Sequence, residues 1–436
     1  MKITLLDLRK NKAFQEFGLV LLIFLGTNIA SQVFQSPITY NNGQSFDGIF
    51  YTRMAYQFTQ GLKVSSEAPF VYRIGTPFLV SVFFKDHLLF GFKVVNILAN
   101  LLATLLLTFW LRLYLSDWRV RVLLVGLFIT QWHGPVRFTY YDGAYTDPWL
   151  FVFLLIGLIA IHRLKSKPGF GSVALLGFIT FMGVLFREIV LILPIALFFV
   201  NNPLPPLTEI SNRLTLKQLG MMLKRSYFPS ILPLLLGIAG FLLVRRVASQ
   251  TNDYTFFKSA LDWAYDKPVL TVLHAYFITF GPLLVLAIFA WRRSIQFLWD
   301  QQYLLVFLVG MMAIGWIGGS DTERFLYWGM PVVYLLIGLS IQENWARLKS
   351  PGLVLLLLAS TICSQRLFWT VPDFPNTFHT PIPILSILSS RFQYLDLWSF
   401  FAQRSIQEVS LLQYLLLSAV LLVWLKLRPD PLEPDG

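Results

Sequence analysis

Residues Ser45 to Pro77 read SFDGIFYTRMAYQFTQGLKVSSEAPFVYRIGTP. This stretch follows the first apolar run and sets Asp47 at the head of an aromatic, amphipathic segment. Phe46, Phe50, Met54 and Phe58 recur every four residues, which predicts a short helix whose apolar stripe lies in the membrane interface. Ser45 is expected to cap that helix. Asp47 and Tyr51 then project together from a neighbouring edge, where the positive end of the helix dipole favours negative charge. A base poised above a membrane cavity is built this way; the plainer alternative makes Asp47 part of the helix cap.

The rest of the chain supplies the membrane. Of its 436 residues 56% are hydrophobic, 16% aromatic and 13% charged, with a mean hydropathy of +0.63, outside the range of soluble domains. Apolar runs recur at 17–34, 91–115, 120–134, 148–163, 172–186, 188–200, 228–247, 270–291, 302–319, 325–341, 352–368 and 409–427. They predict an all-α, polytopic membrane helix bundle of about twelve transmembrane helices, with the interfacial helix in the first outer loop. One integral membrane unit spans 1–436, with core helices and site-bearing loops in 1–345 and, in 346–436, C-terminal helices around a long outer loop at 369–408.

Charge sets the orientation. Placing both termini and 112–121, 163–167, 201–227, 292–301 and 342–350 in the cytoplasm puts 20 of the 35 Lys and Arg inside, as the positive-inside rule requires. Topology therefore explains most of the net charge of +12. No basic arm with interleaved aromatics occurs in a soluble segment, so nucleic acid is excluded as a partner. Lys2, Arg9, Lys10 and Lys12 precede the first run. It reads as an uncleaved first helix, since Asn28-Ile29-Ala30 is a poor cleavage site. Cys363 is the only cysteine, which removes disulfide and cysteine-metal frameworks. The lack of any Asn-x-Ser/Thr acceptor leans towards a bacterial inner membrane.

This orientation gathers the ionisable residues on the outer face. Asp142 and Asp147 lie five residues apart among Tyr140, Tyr141 and Tyr145, with Pro148 opening the next helix. The tyrosines read equally as an interfacial belt. The carboxylates could orient acceptor hydroxyls or join Asp47 in holding a divalent cation such as magnesium or manganese. Arg187 and Glu188 interrupt two runs too short to span comfortably, where ionisable groups face protein or water, unless they simply pair with each other. Arg324, in the Asp321-Thr322-Glu323-Arg324 hairpin, suits a lipid phosphate through its planar fork, unless Asp321 or Glu323 consumes the charge.

Other polar features read more plainly. Asn96 and Asn100, one turn apart, are expected as interhelical hydrogen-bond partners. His87 is interfacial, and His133, His162, His274 and His379 are too scattered for zinc. The 201–227 stretch reads as a cytoplasmic surface helix.

The order and side of these features resemble the GT-C superfamily of integral membrane glycosyltransferases, over roughly residues 15 to 345. The matching features are Asp47 after the first helix, Tyr72-Arg73-Ile74-Gly75-Thr76-Pro77, Thr146-Asp147-Pro148, the Arg187-Glu188 break, and Glu323-Arg324-Phe325 with Pro331. The chain departs in carrying Asp47-Gly48 where many members pair acidic residues, and in lacking a large soluble C-terminal domain. The resemblance implies an inverting, mannosyltransferase-like hexosyltransferase of the cell envelope that uses a polyprenyl-phosphate-sugar donor and a glycan, lipid or protein acceptor. Asp47, Asp142 and Asp147 would be catalytic, while Tyr51, Arg73, Tyr141, Arg187, Glu323 and Arg324 would bind substrate. The competing classes are a polysaccharide polymerase and a lipid-linked sugar transporter or flippase. A transporter should show repeats and mid-membrane ionisable groups, and neither is evident here.

Overall fold

The structure is a computed structural model that describes residues 12–131, 134–201, 203–205, 228–348, 350–365, 367, 370–371, 373 and 404–427. The expected surface helix at 201–227, His133, His379 and most of the 369–408 loop lie outside the described residues.

The architecture is a helix bundle. Among the described residues four helices are long and apolar enough to cross a bilayer: Lys12–Phe34, Leu88–Arg112, Asp147–Ser166 and Ser230–Val247. A fifth appears if Trp291–Asp300 and Gln302–Ile317, bent by 113°, count as one span. The other apolar runs expected to span are shorter or broken, and the breaks have local causes. The 270–291 run divides at Gly281, whose φ of +63° is a left-handed conformation, followed by Pro282. The 325–341 run divides at Trp328-Gly329 into Thr322–Tyr327 and Met330–Glu343. At Arg187 the backbone becomes extended, and Glu188–Leu191 forms a 3₁₀ turn before Ile192–Asn201.

One feature departs from an all-α reading. Val64–Ser66 and Ala248–Gln250 pair as a two-stranded parallel sheet, Val64 opposite Ala248. It ties the loop after the first helix to the segment after the Phe228–Val247 helix. The tie is reinforced by Asn252, whose side chain accepts from the Ala68 N–H at 2.8 Å and donates to the Ala68 carbonyl at 3.1 Å. Arg245 stacks on the Tyr72 ring at 4.7 Å.

The first-loop helix forms where expected, over Gly48–Thr59, although Ser45 does not cap it. Asp47 occupies the N-cap position without a side-chain cap bond, and Ser45, held at φ +62°, turns its hydroxyl elsewhere. The apolar stripe is used internally: Met54 is fully buried, Phe50 stacks on Phe70 at 4.7 Å, and Phe58 meets Phe78 edge-on at 5.5 Å. The helix therefore packs on Gly75–Phe83 with one face covered by protein.

Candidate functional site

Two loops meet at one glycine. A Cβ on Gly48 would approach the Ala144 Cβ to 2.8 Å and the Ala144 carbonyl to 3.0 Å, so the residue after Asp47 has room only for hydrogen. That close approach is the physical reason why a second acidic residue does not follow Asp47. Instead, Asp142 arrives from the second loop, and the Ser45 hydroxyl donates to Asp142 Oδ2 at 2.7 Å. The Ala144 N–H donates to Asp142 Oδ1 at 3.1 Å.

The Leu88–Arg112 helix fixes the second loop from behind. Asn96 Nδ2 donates to the carbonyls of Gly143 and Tyr145, each at 2.9 Å, and Asn100 Nδ2 donates to the Pro135 carbonyl at 3.0 Å and to Thr139 Oγ1 at 2.9 Å. These asparagines are hydrogen-bond partners as expected, and what they hold is the loop that delivers Asp142 and Asp147.

Arg324 is the hub. Its Nη2 lies 3.1 Å from Asp47 Oδ2 and 2.6 Å from Asp321 Oδ2, and its Nε lies 3.5 Å from Asp147 Oδ2. The anticipated neutralisation by Asp321 is present, and Asp47 and Asp147 share the same guanidinium. Asp147 is nearly sealed at 3% side-chain exposure, whereas Asp47, at 24%, is partly exposed. A buried carboxylate needs compensating partners. Asp147 Oδ1 pairs with Arg187 Nη1, and Trp328 Nε1 donates to Asp147 Oδ2 at 3.4 Å. The Arg187 guanidinium stacks on the Trp328 ring at 4.3 Å.

Arg187 and Glu188 do not pair with each other. The extended residue at the helix break sends the two side chains to different partners, and Glu188 Oε1 accepts from Arg73 Nη2 at 3.2 Å. Arg73 Nη1 also donates to the Tyr51 hydroxyl at 2.9 Å. Gly75 makes this approach feasible, since a Cβ there would meet the Phe186 ring at 2.7 Å. The Arg73–Tyr51–Glu188 group thus flanks the Arg324 hub on the side of the first-loop helix.

Several expected residues lie apart from the hub. Asp142 sits behind it: burial, reinforced by Asp47, pushes its carboxyl up to about 7, with Ser45 and Arg324 opposing. The Tyr141 side chain is buried against Phe138 and Ile38, and its hydroxyl has no hydrogen-bond partner among the described residues. Glu323 is fully buried on the inner side of the hairpin, where the Thr279 hydroxyl donates to its backbone carbonyl. It bears electrostatically on Lys267, whose ammonium donates to the Gly315 carbonyl at 3.0 Å and is lowered by burial to about 8. Sequence reasoning passed over Trp328 and Lys267. The placement of Trp328 four residues after Arg324 was the available signal; Lys267 offered none, because only the fold brings it to the hairpin.

A narrow pocket at the hub is lined by Asp147 and Arg324 with Phe138, Tyr145, Phe151 and Tyr327. It is polar at one wall and aromatic at the others, and its volume of about 10 Å³ has room for little more than one water.

Neither a protein-family model nor a curated protein matches this sequence. Solved structures do match in fold. The crystal structure of the Archaeoglobus fulgidus oligosaccharyltransferase with zinc and sulfate aligns with a TM-score of 0.50 at 13% identity, over 85% of this chain and 56% of that one. Its apo form aligns with a TM-score of 0.49 at 12% identity, over 88% and 60%. Its complex with an inhibitory peptide and a dolichol-phosphate gives 0.46 at 13% identity, over 86% and 59%. The chain thus spans little more than half the length of that protein. At this identity the likeness establishes the fold alone.

A divalent cation such as magnesium or manganese is the cofactor expected from the sequence. Among the described residues no three His, Cys, Asp or Glu side chains gather to hold a metal ion. The carboxylates that do converge are already turned onto Arg324 and Arg187.

Proposed function

We propose that the chain is a GT-C membrane glycosyltransferase. It takes a hexose from a polyprenyl-phosphate-linked donor and passes it, with inversion, to an acceptor hydroxyl on the outer face of a bacterial plasma membrane. The observation that supports this reading is the 3.1 Å contact of Asp47 with Arg324, a solvent-open carboxylate on a cation built to take a phosphate.

The chemistry is a single displacement. The acceptor oxygen attacks the anomeric carbon, the carbon–oxygen bond to the lipid phosphate breaks, and that electron pair leaves on the phosphate. Asp47 takes the hydroxyl proton, a step for which a positioned carboxylate contributes roughly 10²- to 10⁴-fold. Protonation cancels the charge that holds Asp47 to Nη2, so the guanidinium turns to the phosphate as its charge develops. Asp147, locked by Arg187 and Trp328, keeps the Nε edge of Arg324 in place during that exchange. A phosphate leaves readily, so the site has no need of the second carboxylic acid that glycoside hydrolases use. Asp142, buried and raised towards neutrality, serves by positioning Ser45 and Ala144 next to Asp47.

The test is transfer by the purified full chain in liposomes, supplied with polyprenyl-phosphate hexoses and envelope acceptors. Release of polyprenyl phosphate with a single sugar added to the acceptor supports the reading, and its loss in Arg324→Ala supports the role of the hub. Intact donor with every hexose tried, or repeated addition as in a polymerase, contradicts it.

A further inference from the structure

We propose that the Phe256–Asp266 helix is a lipid-docking element: it lies along the bilayer surface with Phe257, Leu261 and Tyr265 set among the acyl chains. The inference requires the chain to sit in a bilayer and requires no sugar transfer, so it stands apart from the proposed activity.

Every one of the 11 residues of this helix is at least partly exposed. Phe257, Leu261 and Tyr265 recur every four residues and are 81, 71 and 91% exposed. They make one uncharged stripe. Lys258, Asp262 and Asp266 stand one position on, and so about 100° around the helix, as a charged and exposed stripe beside it. An apolar stripe adjoining a charged one is the pattern of a helix that lies in the interface plane. The charged stripe bears both signs, which suits zwitterionic headgroups and water.

Protein holds the stripe outward. Trp316, at the end of the apolar Gln302–Ile317 helix, donates through Nε1 to the Ala264 carbonyl at 3.2 Å, and Lys267, just past the helix, donates to the Gly315 carbonyl at 3.0 Å. Two consecutive residues at one helix end therefore fix this element to the bundle. Trp316 is itself exposed, and Tyr265 follows Ala264, so an indole and a phenol mark the level at which the bundle leaves the hydrocarbon. Val269 and Leu273, also exposed, keep the four-residue spacing into the apolar Val269–Phe280 helix. The stripe thus runs on in sequence into a helix whose exposed side chains meet lipid. A second copy of the chain fits less well: the three side chains expose on the order of 500 Å², below the roughly 800 Å² per partner of a stable protein interface.

Site-directed fluorescence of the full chain in phosphatidylcholine nanodiscs tests this. In a Cys363→Ser background, bimane is attached after Phe257→Cys, Leu261→Cys, Tyr265→Cys or, on the charged stripe, Asp262→Cys. A nitroxide near the top of the acyl chain should quench the first three at least about twofold more than the Asp262 label, and aqueous iodide should do the reverse, as for a helix seated about 5–10 Å into the headgroup boundary. Equal responses of all four labels to either quencher would overturn the proposal. So would shielding of the first three from both quenchers, which would mean that protein covers the stripe. The unmodified chain gives a second measurement: photolysis with a phosphatidylcholine carrying a diazirine on its acyl chain should leave adducts within 256–266. Adducts on Val269–Phe280 without any on 256–266 would likewise overturn it.

Discussion

Arg324 Nη2 lies 3.1 Å from Asp47 Oδ2, and the same nitrogen lies 2.6 Å from Asp321 Oδ2. One donor atom is therefore divided between a partly exposed carboxylate and one from its own hairpin. The division makes the cation responsive: whichever carboxylate is neutralised releases part of the guanidinium to a third anion. In the proposed reaction, Asp47 as base and Arg324 as phosphate-binding cation exchange the contact that they share in the resting site.

Gly48 is the joint on which this arrangement turns. Gly48→Ala should drive the new methyl into Ala144, at a cost of about 1–3 kcal/mol for overpacking, and should separate Asp142 from Ser45. Transfer is expected to fall strongly with little change in helical circular dichroism. Gly143→Ala is the control, since its Cβ meets nothing closer than 3.6 Å. Equal activity in the two variants would count against the close approach.

Arg187 neutralises a carboxylate that has almost no access to water. Arg187→Ala should therefore lower stability by about 3–5 kcal/mol, towards the smaller figure because Arg324 remains near Asp147. Combining Asp147→Asn with Arg187→Met removes both charges and should cost less than the sum of the single changes. Thermal unfolding of the four proteins measures this coupling, and strict additivity would mean that the pair is not energetically linked.

The raised carboxyl of Asp142 gives stability a pH dependence of defined sign. Its folded value, about 7, lies above the ordinary value of 3.8, so the native state binds the proton more tightly than the unfolded chain. That contribution is fully present below about pH 4 and is lost as pH rises through about 7. Asp142→Asn should flatten the melting temperature between pH 5 and pH 8 and should be the more stable protein at pH 8. An unchanged pH profile would place the titration elsewhere.

Orientation can be checked without activity. In a Cys363→Ser background, cysteine at Ser65, in the strand of the first loop, should react with an impermeant thiol reagent from outside. Cysteine at Ser389, beyond the described residues, should behave likewise, and cysteine at Ser350 should stay protected. The reverse pattern would place the Arg324 hub in the cytoplasm.

How far the sequence could be read depended on the range of the interaction. The first-loop helix, Gly48–Thr59, was legible because its stripe repeats every four residues. The Asn96 and Asn100 partnership was legible from one-turn spacing. The role of Ser45 was not: a serine before a helix ordinarily caps it, and only the approach of the second loop turns its hydroxyl to Asp142. Arg187 and Glu188 were misleading for the same reason. Adjacent opposite charges suggest a pair, but an extended residue at a helix break points neighbouring side chains apart, and their partners Asp147 and Arg73 are distant in sequence. The break at Arg187 was legible from the two short runs that flank it, whereas hydropathy does not register those at Gly281 and Gly329, and twelve spans are not shown among the described residues.

The central claim is that Asp47 accepts the acceptor proton and in doing so gives up its hold on Arg324. Asp47→Asn mimics the neutral form, so donor affinity and single-turnover transfer should be measured on the same preparation of that variant. The account predicts binding of the polyprenyl-phosphate sugar at least as tight as in the wild type, because Arg324 gains freedom, together with transfer slowed by roughly 10²- to 10⁴-fold. Near-normal transfer by Asp47→Asn at normal expression would contradict it and move the base to Asp147 or Asp142.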